Sequence, residues 1–169
     1  MSAPGLIASR PADRPIESTL ALPDARVYRS LHMQLPEGVT MDPAIARALA
    51  HGHTVDITTT GRRSGLPRRI EIVFHNFDGR LYISGMPRAG RTRAWIHNLA
   101  ADPHFILHLK GPLKADLRAT ARIITEESER RTVLSQVARV WQRPDVETMI
   151  EHSPLIEVTI DGLMTSTAA

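Results

Sequence analysis

The sequence predicts a mainly β domain with added helices, built on an antiparallel barrel, closed or split, of about six short strands. Three observations carry this reading. Apolar residues alternate with period two in short segments spread from residue 53 to residue 160. Tight turns join most of these segments, with Asp78-Gly79 the strongest because both positions accept positive φ. Two helical patterns are inserted between strands, and a short one precedes them. Closing such a sheet also hides strand edges that would otherwise pair with another chain.

Taken in order, residues 1–40 carry Pro4, Pro11, Pro15, Pro23 and Pro36 with no sustained periodicity, which predicts an extended arm. The barrel domain is expected over 41–164. Asp42-Pro43 reads as an N-cap followed by proline at the first helical position. Ala44, Ile45, Ala48 and Leu49 share a stripe and Gly52 suits the C-terminal cap, so a helix is expected over 43–51. Val55, Ile57 and Thr59 predict a strand over 53–60. Ile70, Ile72 and Phe74 alternate with Glu71, Val73 and His75 in a strand over 69–77, and the chain returns over 80–85.

Trp95, Ile96, Leu99 and Ala100 share one face of a helix over 92–101, which Pro103 stops. Phe105, Leu107 and Leu109 mark a strand over 104–110. Ala115, Leu117, Ala119, Ala121 and Ile123 mark another over 114–124. Thr125 reads as a cap before an acidic first turn of Glu126, Glu127 and Glu129. Val133, Leu134, Val137, Ala138, Val140 and Trp141 form that helix's apolar face, and Pro144 ends it. Ile156, Val158 and Ile160 give a last strand over 155–160, and 165–169 reads as a frayed tail.

The chain has 169 residues and no cysteine, which fits one domain and excludes disulfides and thiolate ligands. No stretch approaches the ~20 apolar residues of a membrane helix, and the N-terminal residues lack a signal-like apolar run. A soluble, cytoplasmic protein is expected. The net charge of +3 is modest, but its distribution is not. Eight arginines fall between Gly61 and Arg93, against only Glu71 and Asp78. Such a patch attracts phosphates and carboxylates. Aromatic residues make up 4% of the chain, and none alternates with the arginines as a base-stacking platform would require, so no nucleic-acid partner is expected.

Within that patch, the turn after the first strand reads Gly61-Arg62-Arg63-Ser64-Gly65-Leu66-Pro67-Arg68-Arg69. Its glycines permit backbone shapes that converge N–H groups on an anion. Ser64 adds a hydroxyl, and Arg62, Arg63, Arg68 and Arg69 add bidentate charge. The spacing is not that of a P-loop. A second basic segment follows the third strand: Ser84, Gly85, Met86 and Arg88 lead through Arg91 to Ala94 and Trp95. Amides at that helix start suit an anion or the edge of a heterocycle, and Trp95 either walls a ring or packs in the core.

His104 and His108 lie about 13 Å apart along one strand and cannot share a metal, and there is no HExxH motif, so no metal site is expected. His75, His108 and Tyr82 are the candidate proton donors. No nucleophile elbow or carboxylate pair is present. An anion grip and an apolar wall with little acid–base equipment suit an enzyme whose cofactor carries the chemistry.

Three motifs occur in one order: Thr58-Thr59-Thr60-Gly61-Arg62-Arg63-Ser64-Gly65-x-Pro67-Arg68, then Asp78-Gly79-x-x-Tyr82, then Trp95-x-x-Asn98-Leu99-x-Ala101-Asp102-Pro103. Together they resemble the deazaflavin (F420)-dependent nitroreductase family over about residues 42–160. The resemblance implies a split β-barrel, like that of FMN-binding pyridoxamine-phosphate-oxidase-like proteins. It implies hydride transfer from reduced F420 to an activated C=C, C=N or nitro group of a small molecule. It assigns the cofactor phosphate to Arg62, Arg63, Ser64 and Gly65, with Arg68 and Arg69 close by. It assigns the ring to the segment from Ser84 to Met86 and to Ala94-Trp95. The acidic cofactor tail then complements the basic patch, including Arg88 and Arg91.

Two departures stand out. The 84–95 loop is shorter and more basic than the family pattern, and the only tyrosines are Tyr28 and Tyr82, so the C-terminal tyrosines that shape the substrate pocket in the nitroreductase branch are absent and nitroimidazole reduction is not expected. The alternatives are an FMN enzyme on the same fold and a non-catalytic flavin or deazaflavin carrier. Monomer, homodimer and peripheral membrane association are all compatible with the resemblance.

Overall fold

The computed structural model describes residues 41–162. The expected arm over 1–40 and the tail over 165–169 lie outside the described residues.

Six strands form a closed antiparallel barrel. They are β1 (Thr54–Thr60), β2 (Pro67–Phe77), β3 (Arg80–Ser84), β4 (His104–Leu109), β5 (Ala115–Ile123) and β6 (Leu155–Ile160). Their order around the barrel is β1-β2-β3-β6-β5-β4, with β4 pairing back to β1. The period-two residues point inward, so Val55, Ile57, Phe74, Ile83, Leu107 and Ile156 fill the interior with no exposed surface. The hairpin at Asp78-Gly79 forms as expected, with φ of 53° and 83° at its two positions.

The register shows where the barrel opens. β2 pairs with β1 over residues 67–73 but with β3 only over residues 73–77. Its first half therefore has a neighbour on one side alone. The Phe74 N–H donates to the His53 carbonyl on the β1 side. Strand alternation then turns the backbone groups of Arg69 and Glu71 toward the open side.

Four helices accompany the barrel: α1 (Pro43–Leu49), α2 (Ala94–Ala101), α3 (Glu127–Val140) and α4 (Val146–His152). Asp42 caps α1, its carboxylate accepting from the Ala44 N–H at 2.7 Å. The expected end of α1 is corrected: Ala50, not Gly52, is the C-cap. Gly52 is small for another reason, because a Cβ there would stand 2.7 Å from the Phe74 carbonyl oxygen. The expected cap of α3 is corrected from Thr125 to Glu126, whose carboxylate accepts from the Ser128 and Glu129 amides. α3 stops at Val140, before Pro144, and α2 begins at Ala94 rather than at residue 92.

The pattern reading missed α4, a seven-residue helix too short to display periodicity. It packs with α3 on the outside of the barrel. Val133, Leu134, Val137, Met149 and Ile150 cover Tyr82, Ile124 and Leu155 in a second apolar core. The two cores lie on opposite faces of the same sheet, which is why Tyr82 and His75 are buried although they point out of the barrel. No described helix is long and apolar enough to cross a membrane.

Candidate functional site

The turn between β1 and β2 is held by its own backbone. The Gly61 N–H donates to the Leu66 carbonyl at 2.9 Å, and the Gly65 N–H donates to the Gly61 carbonyl at 2.7 Å. Gly65 sits at φ +66° and uses glycine's freedom. Gly61 is needed for space instead: a Cβ there would lie 2.8 Å from Ser64 Oγ and 3.0 Å from the Leu66 carbonyl oxygen. The Leu66 N–H donates to Ser64 Oγ at 3.3 Å, and the Arg62 N–H donates to Asn98 Oδ1 at 3.1 Å. The idea of a turn whose amides all converge on an anion is thus narrowed. Among the described residues only Arg63 and Ser64 keep turn amides without an internal partner.

Asn98 is the residue that joins this turn to α2. It is 7% exposed, and its Nδ2 donates to Thr59 Oγ1 at 3.0 Å while its Oδ1 takes the Arg62 amide. Its place in the Trp95-x-x-Asn98 motif was the available signal, yet spacing alone does not reveal a side chain that bridges two loops.

A second loop, residues 85–93, faces the turn across a cleft. The Gly85 and Arg88 amides donate to the carbonyls of Pro154 and His152 at 3.4 and 3.3 Å, which ties the loop to the end of α4. Arg93 donates to the Met86 carbonyl at 3.3 Å, and Arg143 reaches Met86 Sδ at 3.7 Å. The Ala94 and Trp95 amides at the start of α2 have no intrahelical acceptor, as at any helix start.

The cleft has a volume of about 1330 Å³. Twelve of the thirteen residues expected to bind cofactor line it: Arg62, Arg63, Ser64, Arg68, Arg69, Ser84, Gly85, Met86, Arg88, Arg91, Ala94 and Trp95. Gly65 does not; it shapes the turn from behind. The lining also includes Ile70, Ile72, His97, Asn98, Arg93 and Trp141, which sequence reading did not place there. Trp141 arrives from the end of α3, in the covering layer whose position only the tertiary fold defines.

Charge in the cleft is lopsided. Arg69 is paired with Asp56 at 3.0 Å, and Lys110 bridges Asp56 and Glu71. Lys110 chiefly, with Arg69, holds the Asp56 carboxyl below its usual range. Among the described residues Arg62, Arg63, Arg68, Arg88 and Arg91 have no carboxylate partner. All five are exposed, and all five line the same cleft.

None of the three proton-donor candidates lines the cleft. His75 is buried behind Ser84, its Nε2 3.2 Å from Ser84 Oγ, between Phe77 and Trp141. Burial pushes its imidazole down from 6.5 to about 4, so it is neutral near pH 7. His108 lies on the outer face of β4, linking Thr58 Oγ1 at 2.8 Å to Asp116 Oδ1 at 2.6 Å. Tyr82 is buried in the second core with Arg80 over its ring, and burial raises its phenol above 10.0. Among the described residues no three His, Asp or Glu side chains are grouped as metal ligands.

The family model for F420H(2)-dependent quinone reductase matches residues 39–161. No curated protein matches the chain. Among solved structures, a conserved hypothetical protein from Mycobacterium tuberculosis is 18% identical; the alignment covers 80% of this chain and 97% of that one at a TM-score of 0.58. A Clostridium acetobutylicum protein related to general stress protein 26, of the pyridoxinephosphate oxidase family, is 12% identical over 64% of this chain and 75% of its own, at a TM-score of 0.50. An F420-H2 dependent reductase is 22% identical over 63% and 93% of the two chains, at a TM-score of 0.46. The first two likenesses establish the split-barrel fold.

Proposed function

Since the chain belongs to the F420H(2)-dependent quinone reductase family, we propose that it passes a hydride from reduced F420 to a flat, conjugated acceptor of the quinone class. F420-dependent reduction comes with the family; the acceptor and the roles of individual residues are our reading. The observation that carries it is the set of five unpaired arginines around one cleft. They complement a ligand with several negative charges at different points, as F420 has in its phosphate and acidic tail.

The residues present fit such a ligand. Arg62, Arg63 and Arg68, with the Arg63 and Ser64 amides, form a phosphate grip. Arg88 and Arg91, on the other wall, suit the carboxylates of the tail. Ser84, Gly85 and the start of α2 offer polar backbone and hydroxyl groups to a ring edge, with Trp95 and Ile72 as apolar surface. Bound there, the reduced deazaflavin supplies the hydride. Met86, 45% exposed, and Trp141 form the apolar rim on which a flat acceptor would rest. The side chains hold donor and acceptor together and keep water out.

FMN is the rival ligand. It ends at its phosphate, which would leave Arg88 and Arg91 without a counter-anion. Titrating the protein with oxidised F420 beside FMN, then assaying reduced F420 with short-chain quinones and nitro compounds, tests the reading. Saturable F420 binding with quinone turnover is expected. Preference for FMN, or F420 binding without turnover of any acceptor, would overturn it.

A further inference from the structure

The 85–93 loop also borders a second hollow, of about 480 Å³. Its other walls include the end of β5, the first turn of α3 and the end of α4, none of which lines the cleft. Ser153, the C-cap of α4, lines this hollow and is 3% exposed. Both of its backbone groups are engaged: the N–H donates to the Met149 carbonyl at 2.9 Å, and the carbonyl accepts from Arg130 Nη2 at 2.7 Å. The hydroxyl is not. Among the described residues Ser153 Oγ is the one buried side-chain nitrogen or oxygen with no hydrogen-bond partner. A buried hydroxyl left unpaired costs stability that alanine would avoid, so a serine here points to a ligand group that completes it.

Arg130 lines the same hollow. Its Nε and Nη2 donate to the Ile150 carbonyl at 2.8 and 2.6 Å, and its Nη1 donates to the Ile124 carbonyl at 3.0 Å. A guanidinium has five N–H groups, and with the bond to Ser153 four are used, so one on Nη1 is left. Every one of these acceptors is a neutral carbonyl. Among the described residues Arg130 has no carboxylate partner, although it is half-buried. Burial pulls its pKa below the usual arginine value, as expected for a cation held away from water. Arg88, Arg91 and Arg93 stand on the loop side of the hollow. The one carboxylate in its lining, Glu151, is exposed and lies 3.6 Å from His152.

We propose that this hollow is a second oxyanion site, in which the spare Arg130 N–H and the Ser153 hydroxyl hold a phosphate or carboxylate group and the loop arginines balance its charge. An oxyanion accepts several hydrogen bonds at once and is bound most strongly where a donor is itself charged. Ile96, Ile123 and Leu155 add apolar surface that suits a short carbon skeleton, so the ligand class is a small organic anion. Two sources carry that group: a separate small anion, or a carboxylate of the cofactor tail passing over the loop. The site does not rest on the proposed function; only the second source does.

The test uses the full chain without cofactor, with inorganic phosphate as the probe at constant ionic strength. Backbone amide NMR should show saturable shifts at residues 124–125, 130 and 151–153, separate from any at the 61–69 turn. Ser153→Ala should be at least as stable as wild type in chloride, because it removes an unpaired hydroxyl. It should bind phosphate at the hollow about tenfold more weakly, as for one charge-assisted hydrogen bond, and leave the shifts of the turn unchanged. Shifts confined to the turn would overturn the proposal. So would equal phosphate affinity in the two proteins, above all if Ser153→Ala is destabilised, since a fixed water would then already complete the hydroxyl. Adding saturating F420 separates the sources. Displacement of phosphate from residues 151–153 assigns the hollow to the tail, and phosphate binding undisturbed beside F420 assigns it to a separate anion; either result supports the site. Failure of F420 to bind at all would sink the proposed function and leave the phosphate result standing.

Discussion

The Asn98 carboxamide accepts the Arg62 amide at 3.1 Å and donates to Thr59 at 3.0 Å, although these partners lie 36 and 39 residues away in the chain. One buried side chain thus sets the distance between the basic turn and α2. Asn98→Ala leaves a buried hydroxyl and an amide without their partner, which should cost about 1–3 kcal/mol of stability. Denaturant unfolding checks the stability. F420 titration checks the second expectation, that affinity falls because the two walls of the cleft lose their register.

Arg63→Ala should weaken F420 binding by about 1–3 kcal/mol through loss of a charge-assisted contact. Arg88→Ala should weaken F420 more than FMN if the 85–93 loop holds the acidic tail. Fluorescence titration of both ligands at two salt concentrations separates the cases. Equal effects on F420 and FMN would remove the tail from this loop.

Trp141 lines the cleft but lies outside the set expected to grip the cofactor. Trp141→Ala should raise KM for a quinone several-fold while leaving F420 affinity within about twofold, consistent with one aromatic contact worth about 1 kcal/mol. Steady-state kinetics with each substrate varied in turn gives the split.

Folding should become less favourable in mild acid. The folded His75 titrates near 4 and the unfolded one near 6.5, so between these values the unfolded chain binds the extra proton. This contribution is fully present above pH 6.5 and is lost as pH falls toward 4. Going from about pH 7 to about pH 5 it should amount to roughly 2 kcal/mol. Urea midpoints for wild type and His75→Phe measure it: the variant should lack this part of the slope.

The two glycines of the turn should respond differently. Gly65→Ala meets nothing within 4 Å and pays only for its φ of +66°, about 1 kcal/mol. Gly61→Ala drives a Cβ into Ser64 Oγ and the Leu66 carbonyl, so the turn must shift and F420 affinity should fall further than in Gly65→Ala. Unfolding and titration of both variants test the order.

The strand periodicity, the Asp78-Gly79 hairpin and the arginine clustering were legible in the sequence because each is a local property. Inward side chains recur every second residue, a two-residue turn has its own φ demands, and charge is counted directly. The three ordered motifs were legible as well, and the family match over residues 39–161 agrees with the F420-dependent resemblance they carry. What only the tertiary structure decided were relations between distant segments. These are the half of β2 left without β3, Asn98 joining the turn to α2, α3 and α4 laid over the outer sheet face, and Trp141 brought to the cleft's rim. His75 marks the boundary between the two. On a strand it alternates with apolar residues as a rim histidine would, and only the helices packed across that face make it buried and neutral, with its ring against Ser84. Burial and pairing depend on what the rest of the chain brings alongside, and no window of sequence holds that information.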